Sequence, residues 1–149
     1  MNPGRQRANV IVVDASVAAK WLVWAGEPLE TEAIALLRRR NCGEMEMLVP
    51  DLFWSEIGNV LWKAGQRGRC SPTEASDSIT SLLAYELTTI ESRLLLQAAL
   101  EIATQHKRSF YDSVYLALAV AERATFVTAD ERLANAVAAY LPVRWLGAY

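Results

Sequence analysis

Four acidic residues, far apart in this chain, are each set among apolar neighbours: Asp14 in VIVVDAS, Glu56 in PDLFWSEIGNVL, Asp112 in SFYDSVYLALA and Asp130 in TFVTADERL. Each falls where a strand should hand over to a helix, or in the first turns of a helix. In an open α/β sheet the carboxyl ends of the strands face one crevice. Carboxylates placed there converge although they are distant in sequence. Converged carboxylates repel and raise one another's pKa unless a cation lies between them. The simplest such cation is a hard divalent metal with oxygen ligands. Bound among acids it would acidify water and neutralise charge on a phosphoryl group and its leaving oxygen. Metal-assisted phosphodiester hydrolysis is the chemistry to which these residues point.

Each acid also has a purely structural reading. Asp14 suits a turn or helix cap after a strand. Glu56 could be a surface glutamate, although Asn59 lies on the same helical side and could orient it or hold a water. Asp112 in a first turn complements the helix dipole. Its helix, however, is rich in alanine and leucine nearly all round, and an acid entering a buried helix needs a partner. Asp130 could cap the last helix, with Thr128 and Glu131 at capping-box spacing. Four acids at comparable positions support a site where any one alone would not.

The bulk composition narrows the field. A chain of 149 residues, 52% hydrophobic, fits one domain with a substantial core. Residues 1–8 read as a polar, flexible tail and 9–149 as a single domain. A net charge of −2 gives no general attraction to nucleic acid, so such a partner needs a local basic surface. Three clusters could supply one: Arg38, Arg39 and Arg40; Lys63, Arg67 and Arg69; Lys107 and Arg108. Solvated helix ends are the simpler explanation of any single one of them. The single histidine, His106, argues against histidine-based zinc sites and a Ser-His-Asp triad, and is expected on the surface near a helix end. Two cysteines, Cys42 and Cys70, make no disulfide framework, and a reducing cytoplasm is the expected location. Arg5 and Arg7 before an apolar stretch imitate a signal peptide, but Asp14 and Lys20 interrupt that stretch. No segment has the length and apolarity of a membrane span.

The elements that must position the acids follow from pattern. Asn9–Val13 is a β-branched run, read as a buried strand that Asp14 ends. Ser16 is the expected N-cap of a helix reaching about Trp24. Pro28 suits the start of a second helix ending in the three arginines, stopped by Asn41 and Gly43. Met45–Val49 reads as a strand, after which Pro50 and Asp51 open a helix with Phe53, Ile57, Val60 and Leu61 on its apolar face. Trp54 and Trp62 are expected to share a packing face on that helix, which Gly65 and Gly68 end. Ser71, Pro72 and Glu74 form a capping-box start for a helix to Tyr85. A short strand, Leu87–Ile90, precedes a helix from Ser92 to about Gln105. Ser109 caps a helix from Phe110 to about Arg123. Thr125–Thr128 is a strand, Asp130–Tyr140 a helix and Val143–Leu146 a last strand. This order predicts a mostly parallel sheet with helices on both faces, its strand C-termini on one edge.

Taken together, VVDASV, SEIGNVL, YDSVYLALA and FVTADERL, in this order and spacing, resemble the PIN-domain family, in particular VapC-type toxin ribonucleases of toxin–antitoxin pairs. The resemblance covers Val10 to about Leu146. It implies a three-layer α/β/α sandwich with a mostly parallel central sheet. The family's four acids match Asp14, Glu56, Asp112 and Asp130, as catalytic residues and metal ligands, with Ser16 and Thr128 as polar helpers and Asn59 as a further one. Ala15 departs from the family, where a hydroxyl residue is frequent. Implied too are dependence on Mg²⁺ or Mn²⁺, an RNA substrate, a homodimer, and a small antitoxin protein that blocks the site; in-line attack by water is expected to leave 5′-phosphate and 3′-hydroxyl ends. Two rivals stay open: a non-catalytic binding module on the same fold, and a nuclease acting on DNA or in RNA processing.

Overall fold

The computed structural model describes residues 9–22 and 26–149. The tail expected over residues 1–8 and the predicted helix end at Trp24 lie outside them. Five strands form one sheet: β1 (Asn9–Val13), β2 (Met45–Pro50), β3 (Thr88–Ile90), β4 (Thr125–Thr128) and β5 (Val143–Trp145), in the order β3-β2-β1-β4-β5. Every pairing is parallel; Ile11 faces Met47 on one side and Thr125 on the other. β1 is central, and its Ile11, Val12 and Val13 are fully buried. That explains its unbroken apolar run, because a strand covered on both faces has no solvent side to mark with polar residues.

Seven α-helices cover the sheet among the described residues: α1 (Ala15–Ala18), α2 (Glu30–Asn41), α3 (Leu52–Gln66), α4 (Pro72–Leu83), α5 (Leu96–His106), α6 (Phe110–Glu122) and α7 (Glu131–Val137). The chain steps outward from β1 to β2 to β3, then returns past β1 to β4 and β5. Right-handed crossovers therefore put α2 and α3 on one face and α5, α6 and α7 on the other. This is the three-layer sandwich. α6 lies across β1, β2 and β4 and carries α5; its run Ser113–Ala119 is buried throughout. The Tyr115 ring stacks on Phe126 of β4, centroids 5.2 Å apart. The direction of the chain reverses between β1 and β4. Such a reversal opens a crevice at the strand C-termini, where ligands of open α/β sheets bind.

Several boundaries differ from those expected, for local reasons. Ser16 is not a cap: α1 begins at Ala15 and Asp14 holds the N-cap position. Pro28 sits in a turn before α2, which starts at Glu30 behind a left-handed Leu29 (φ 62°). α4 has the full capping box from Ser71 and Glu74 but stops at Leu83. Ser92–Leu95 is a 3-10 turn before α5. The cap of α7 is Asp130, whose Oδ1 accepts from the Leu133 N–H at 3.0 Å, so Thr128 and Glu131 form no box. Trp54 and Trp62 do not share a packed face: Trp54 is half-buried and donates to Thr89 Oγ1 at 3.0 Å, whereas Trp62 is 62% exposed. Two steps of four residues carry a straight helix about 80° round its axis, enough to move a side chain off the core stripe. His106 ends α5 with its ring against Tyr140. No helix among the described residues is long and apolar enough to cross a membrane.

Candidate active site

Asp14 is the first residue after β1, still extended (φ −73°, ψ 147°), and its N–H continues the ladder by donating to the Val127 carbonyl at 3.0 Å. The ladder fixes Asp14 at the mouth of the crevice between β1 and β4. Its carboxylate is only 9% exposed. Ser16 Oγ donates to Oδ2 at 2.8 Å and Thr128 Oγ1 donates to the same oxygen at 2.7 Å. Both hydroxyls also accept: Ser16 Oγ from the Ala129 N–H and Thr128 Oγ1 from the Asp130 N–H, each at 3.1 Å. The turns after β1 and β4 are thus tied into one network. Burial pushes the Asp14 carboxyl above its ordinary pKa; the two hydroxyls oppose that rise and the charge of Asp112 adds to it.

Glu56 reaches the same place from α3, which packs against α1. It lies beside the core face of α3 marked by Phe53, Ile57 and Leu61, and so is half-buried. Its Oε1 is enclosed and has no hydrogen-bond partner. Burial raises its pKa to about 7; Tyr115 pulls it down, and the charges of Asp14 and Asp112 push it up. The Tyr115 hydroxyl lies beside this carboxylate, yet neither it nor Oε1 completes a hydrogen bond of ordinary geometry.

Asp112 enters from the opposite face, in the first turn of α6. Ser109 caps that helix as expected, its Oγ accepting the Asp112 N–H at 3.1 Å. The carboxyl of Asp112 is half-buried, and burial raises its pKa. The Ser109 hydroxyl lowers it, Asp130 raises it and the nearby Arg108 lowers it. Asp130 is exposed; its charge acts on Asp112, and its N–H is tied to Asp14 through Thr128. Asp14, Glu56 and Asp112 therefore form a mutually repelling set, with Asp130 at its rim. Asn59 is exposed and makes no hydrogen bond to Glu56.

Sequence reading passed over Tyr115. The signal was present: Tyr115 follows Asp112 at i+3 and so shares its side of α6. A phenol inside an otherwise aliphatic stretch normally has a polar neighbour to meet. Among the described residues no group of three or more Asp, Glu, His or Cys side chains stands close enough together to hold a metal ion between them. The donor set nevertheless suits a hard cation. It is all carboxylate, one buried oxygen is unpartnered, and Mg²⁺ asks for only one or two carboxylates, taking water and substrate phosphate for the rest.

A PIN-domain family model matches residues 11–138. The chain is 32% identical to Ribonuclease VapC3 of Pyrobaculum aerophilum over 127 residues, covering 84% of this chain and 92% of that one. Its fold resembles that of a second P. aerophilum protein (TM-score 0.70, 20% identity, 95% of this chain and 93% of the other). It also resembles Mycobacterium tuberculosis VapC20, a toxin that cleaves the sarcin-ricin loop (TM-score 0.62, 19% identity, 88% and 95%). A toxin–antitoxin complex from Klebsiella pneumoniae is a further structural neighbour (TM-score 0.60, 16% identity, 90% and 95%). The family match spans all four acids and the crevice that gathers them, and the chain belongs to the PIN-domain family.

Proposed function

We propose that this chain is an endoribonuclease, the toxin of a toxin–antitoxin pair, and that it hydrolyses RNA phosphodiester bonds at the crevice between β1 and β4. The observation that carries the proposal is the enclosed, unpartnered Glu56 Oε1 in a carboxylate that feels the charges of Asp14 and Asp112, three acids whose pKa values are all pushed upward. A protein gains nothing in stability from such a set, because desolvation and mutual repulsion both disfavour it. Perturbed acids in a cleft are a mark of function. The kinship with a ribonuclease named VapC3 supports the choice of RNA.

Asp14, Glu56 and Asp112 would hold Mg²⁺ or Mn²⁺, with Asp130 reaching it from the rim. When bound, the ion supplies charge neutralisation at the phosphate and a more acidic water. The residues of the chain do the rest. Ser16 and Thr128 fix the rotamer of Asp14 by bonding the same oxygen. Glu56, whose carboxyl burial and the neighbouring acids hold above its ordinary pKa, would ligate the ion or take a proton from an attacking water. Tyr115 favours its ionised form. Attack by water with the 3′ oxygen leaving gives a 5′-phosphate.

The Klebsiella neighbour, solved as a toxin–antitoxin complex, supports a small protein antitoxin as partner. A homodimer belongs to the same proposal: Leu94, Leu96 and Leu100 leave apolar surface on and just before α5 that a second copy could cover. Cytoplasmic residence goes with an RNA target.

The test is cleavage of an oligoribonucleotide by the purified chain with Mg²⁺, with Mn²⁺ and with chelator, alongside Asp112→Asn. The expected result is metal-dependent scission to 5′-phosphate ends, reduced at least about 100-fold in the variant, with an unchanged circular dichroism spectrum. Cleavage indifferent to chelator, or a variant that loses its fold, would overturn the assignment. Equal cutting of the matching DNA would move the substrate class.

A further inference from the structure

The second basic cluster in the sequence acquires a place in the structure. A cleft of about 230 Å³ lies between the 3-10 turn Ala19–Trp21 and the outer half of α3, lined by Ser16, Lys20, Val60, Lys63 and Arg67. Ser16, which lines one end of the cleft, is the residue whose hydroxyl holds Asp14, so that end lies next to the acidic site. Glu56, Val60 and Lys63 of α3, and Arg67 that caps its C-terminus, follow i, i+4, i+7, i+11 spacing and fall on one stripe. The stripe runs from the acid set to a basic end. At a rise of 1.5 Å per residue, Lys63 stands about 10 Å and Arg67 about 16 Å along the axis from Glu56. Among the described residues Lys20, Lys63 and Arg67 have no ion-pair partner. The acid that borders the cleft, Glu27, is paired with Arg69.

We propose that this cleft binds the backbone phosphates of a single RNA strand flanking the scissile bond, with Lys20, Lys63 and Arg67 as phosphate-positioning residues. The proposal rests on the ribonuclease reading of the adjoining acids. A chain of net charge −2 with a self-repelling acidic pocket cannot draw in RNA by its overall field. It needs cations beside the pocket, where they hold the strand without touching the reacting phosphate. The arginines at the end of α2 serve less well. Arg39 is paired with Glu44, and Arg40 donates to the Tyr85 carbonyl.

The experiment measures binding of a fluorescent, mixed-sequence single-stranded oligoribonucleotide across a salt series, in an Asp112→Asn background that does not cut. Lys63→Gln combined with Arg67→Gln should weaken binding about tenfold at low salt and flatten the log–log salt slope by about 1.4, the value for two lost phosphate contacts on a single strand. Arg38→Gln, at the end of α2, should change neither. Unchanged affinity and slope in the double variant would overturn the proposal, as would an Asp112→Asn parent that binds no RNA. Loss of binding to an acidic peptide instead of RNA would make the cleft a protein site and would also overturn it. Hydrolysis of bis(p-nitrophenyl) phosphate by the wild type with Mg²⁺ or Mn²⁺ checks the nuclease reading separately. RNA binding through Lys63 and Arg67 without any phosphodiesterase activity would remove that reading and leave the cleft standing.

Discussion

The two walls of the crevice are built differently. On the strand wall, Asp14 is deeply buried but satisfied: two hydroxyls donate to one of its oxygens, and each hydroxyl also accepts a backbone N–H from the turn after β4. On the helix wall, Glu56 and Asp112 are less buried but less settled, and Glu56 Oε1 has no partner at all. The difference teaches which part is scaffold and which part awaits a ligand. A buried carboxylate with its hydrogen bonds made can stay ionised at tolerable cost. One without them keeps its desolvation penalty until a cation or a proton arrives. The strand wall holds the site in place; the helix wall stores the unmet charge.

Thr128→Val should break the strand wall with the largest effect on stability. It removes a hydroxyl that donates to a buried carboxylate and accepts the Asp130 N–H. Hydrogen bonds to charged groups are worth about 1.5–3 kcal/mol, so denaturant unfolding should show a loss of about 2 kcal/mol or more at pH 7. A variant as stable as wild type would mean that the network is ornamental and Asp14 is settled some other way.

Glu56→Gln tests the helix wall and has the opposite sign. The folded-state pKa of Glu56 is raised to about 7 from an ordinary 4.5. Its contribution to stability is therefore fully present below about pH 4.5 and lost as pH rises through 7. The neutral amide escapes that loss. In metal-free buffer the variant should be more stable than wild type by about 1–2 kcal/mol at pH 8, after discounting for solvent screening, with the gap closing towards pH 4.5. A constant gap across pH would assign the effect to packing instead of charge.

These contrasts also show what was legible in the sequence. Asp14 could be placed because β1 is a short β-branched run ending in an acid, and a central parallel strand leaves little choice about where its end lies. Asp112 could be placed because Ser109 caps α6 as its side chain dictates. The sequence could not show that Ser16 would turn from capping α1 to bridging Asp14 and Ala129. That choice depends on β4 lying beside β1, a contact across more than a hundred residues. Nor could it separate Asp130 from the other acids. Asp130 spends one oxygen capping α7 and stays exposed at the rim, and only the relative positions of α6 and α7 decide that its charge acts on Asp112. The basic residues of α3 carried no distinguishing mark until the turn after β1 folded against them.

The smallest and sharpest contrast lies at Tyr115, where the two walls meet. Its ring packs on Phe126 of the strand layer, while its hydroxyl faces Glu56 of the helix wall. Tyr115→Phe keeps the ring and removes only the hydroxyl. That hydroxyl completes no ordinary hydrogen bond, so at pH 5, where folded Glu56 is protonated, the unfolding free energy should change by less than about 0.5 kcal/mol, far below the cost of breaking a satisfied buried pair. The charge of Glu56 should still respond. Tyr115 favours the ionised carboxylate, so without it the pKa of Glu56 should rise above its value of about 7. Carbon-13 NMR titration of the Glu56 carboxyl reads this directly, without reference to activity. A titration midpoint that stays put or moves down would mean the phenol only fills the core. A midpoint that moves up with stability at pH 5 unchanged would make Tyr115 a positioning residue of the site, acting on the proton affinity of Glu56 and on little else.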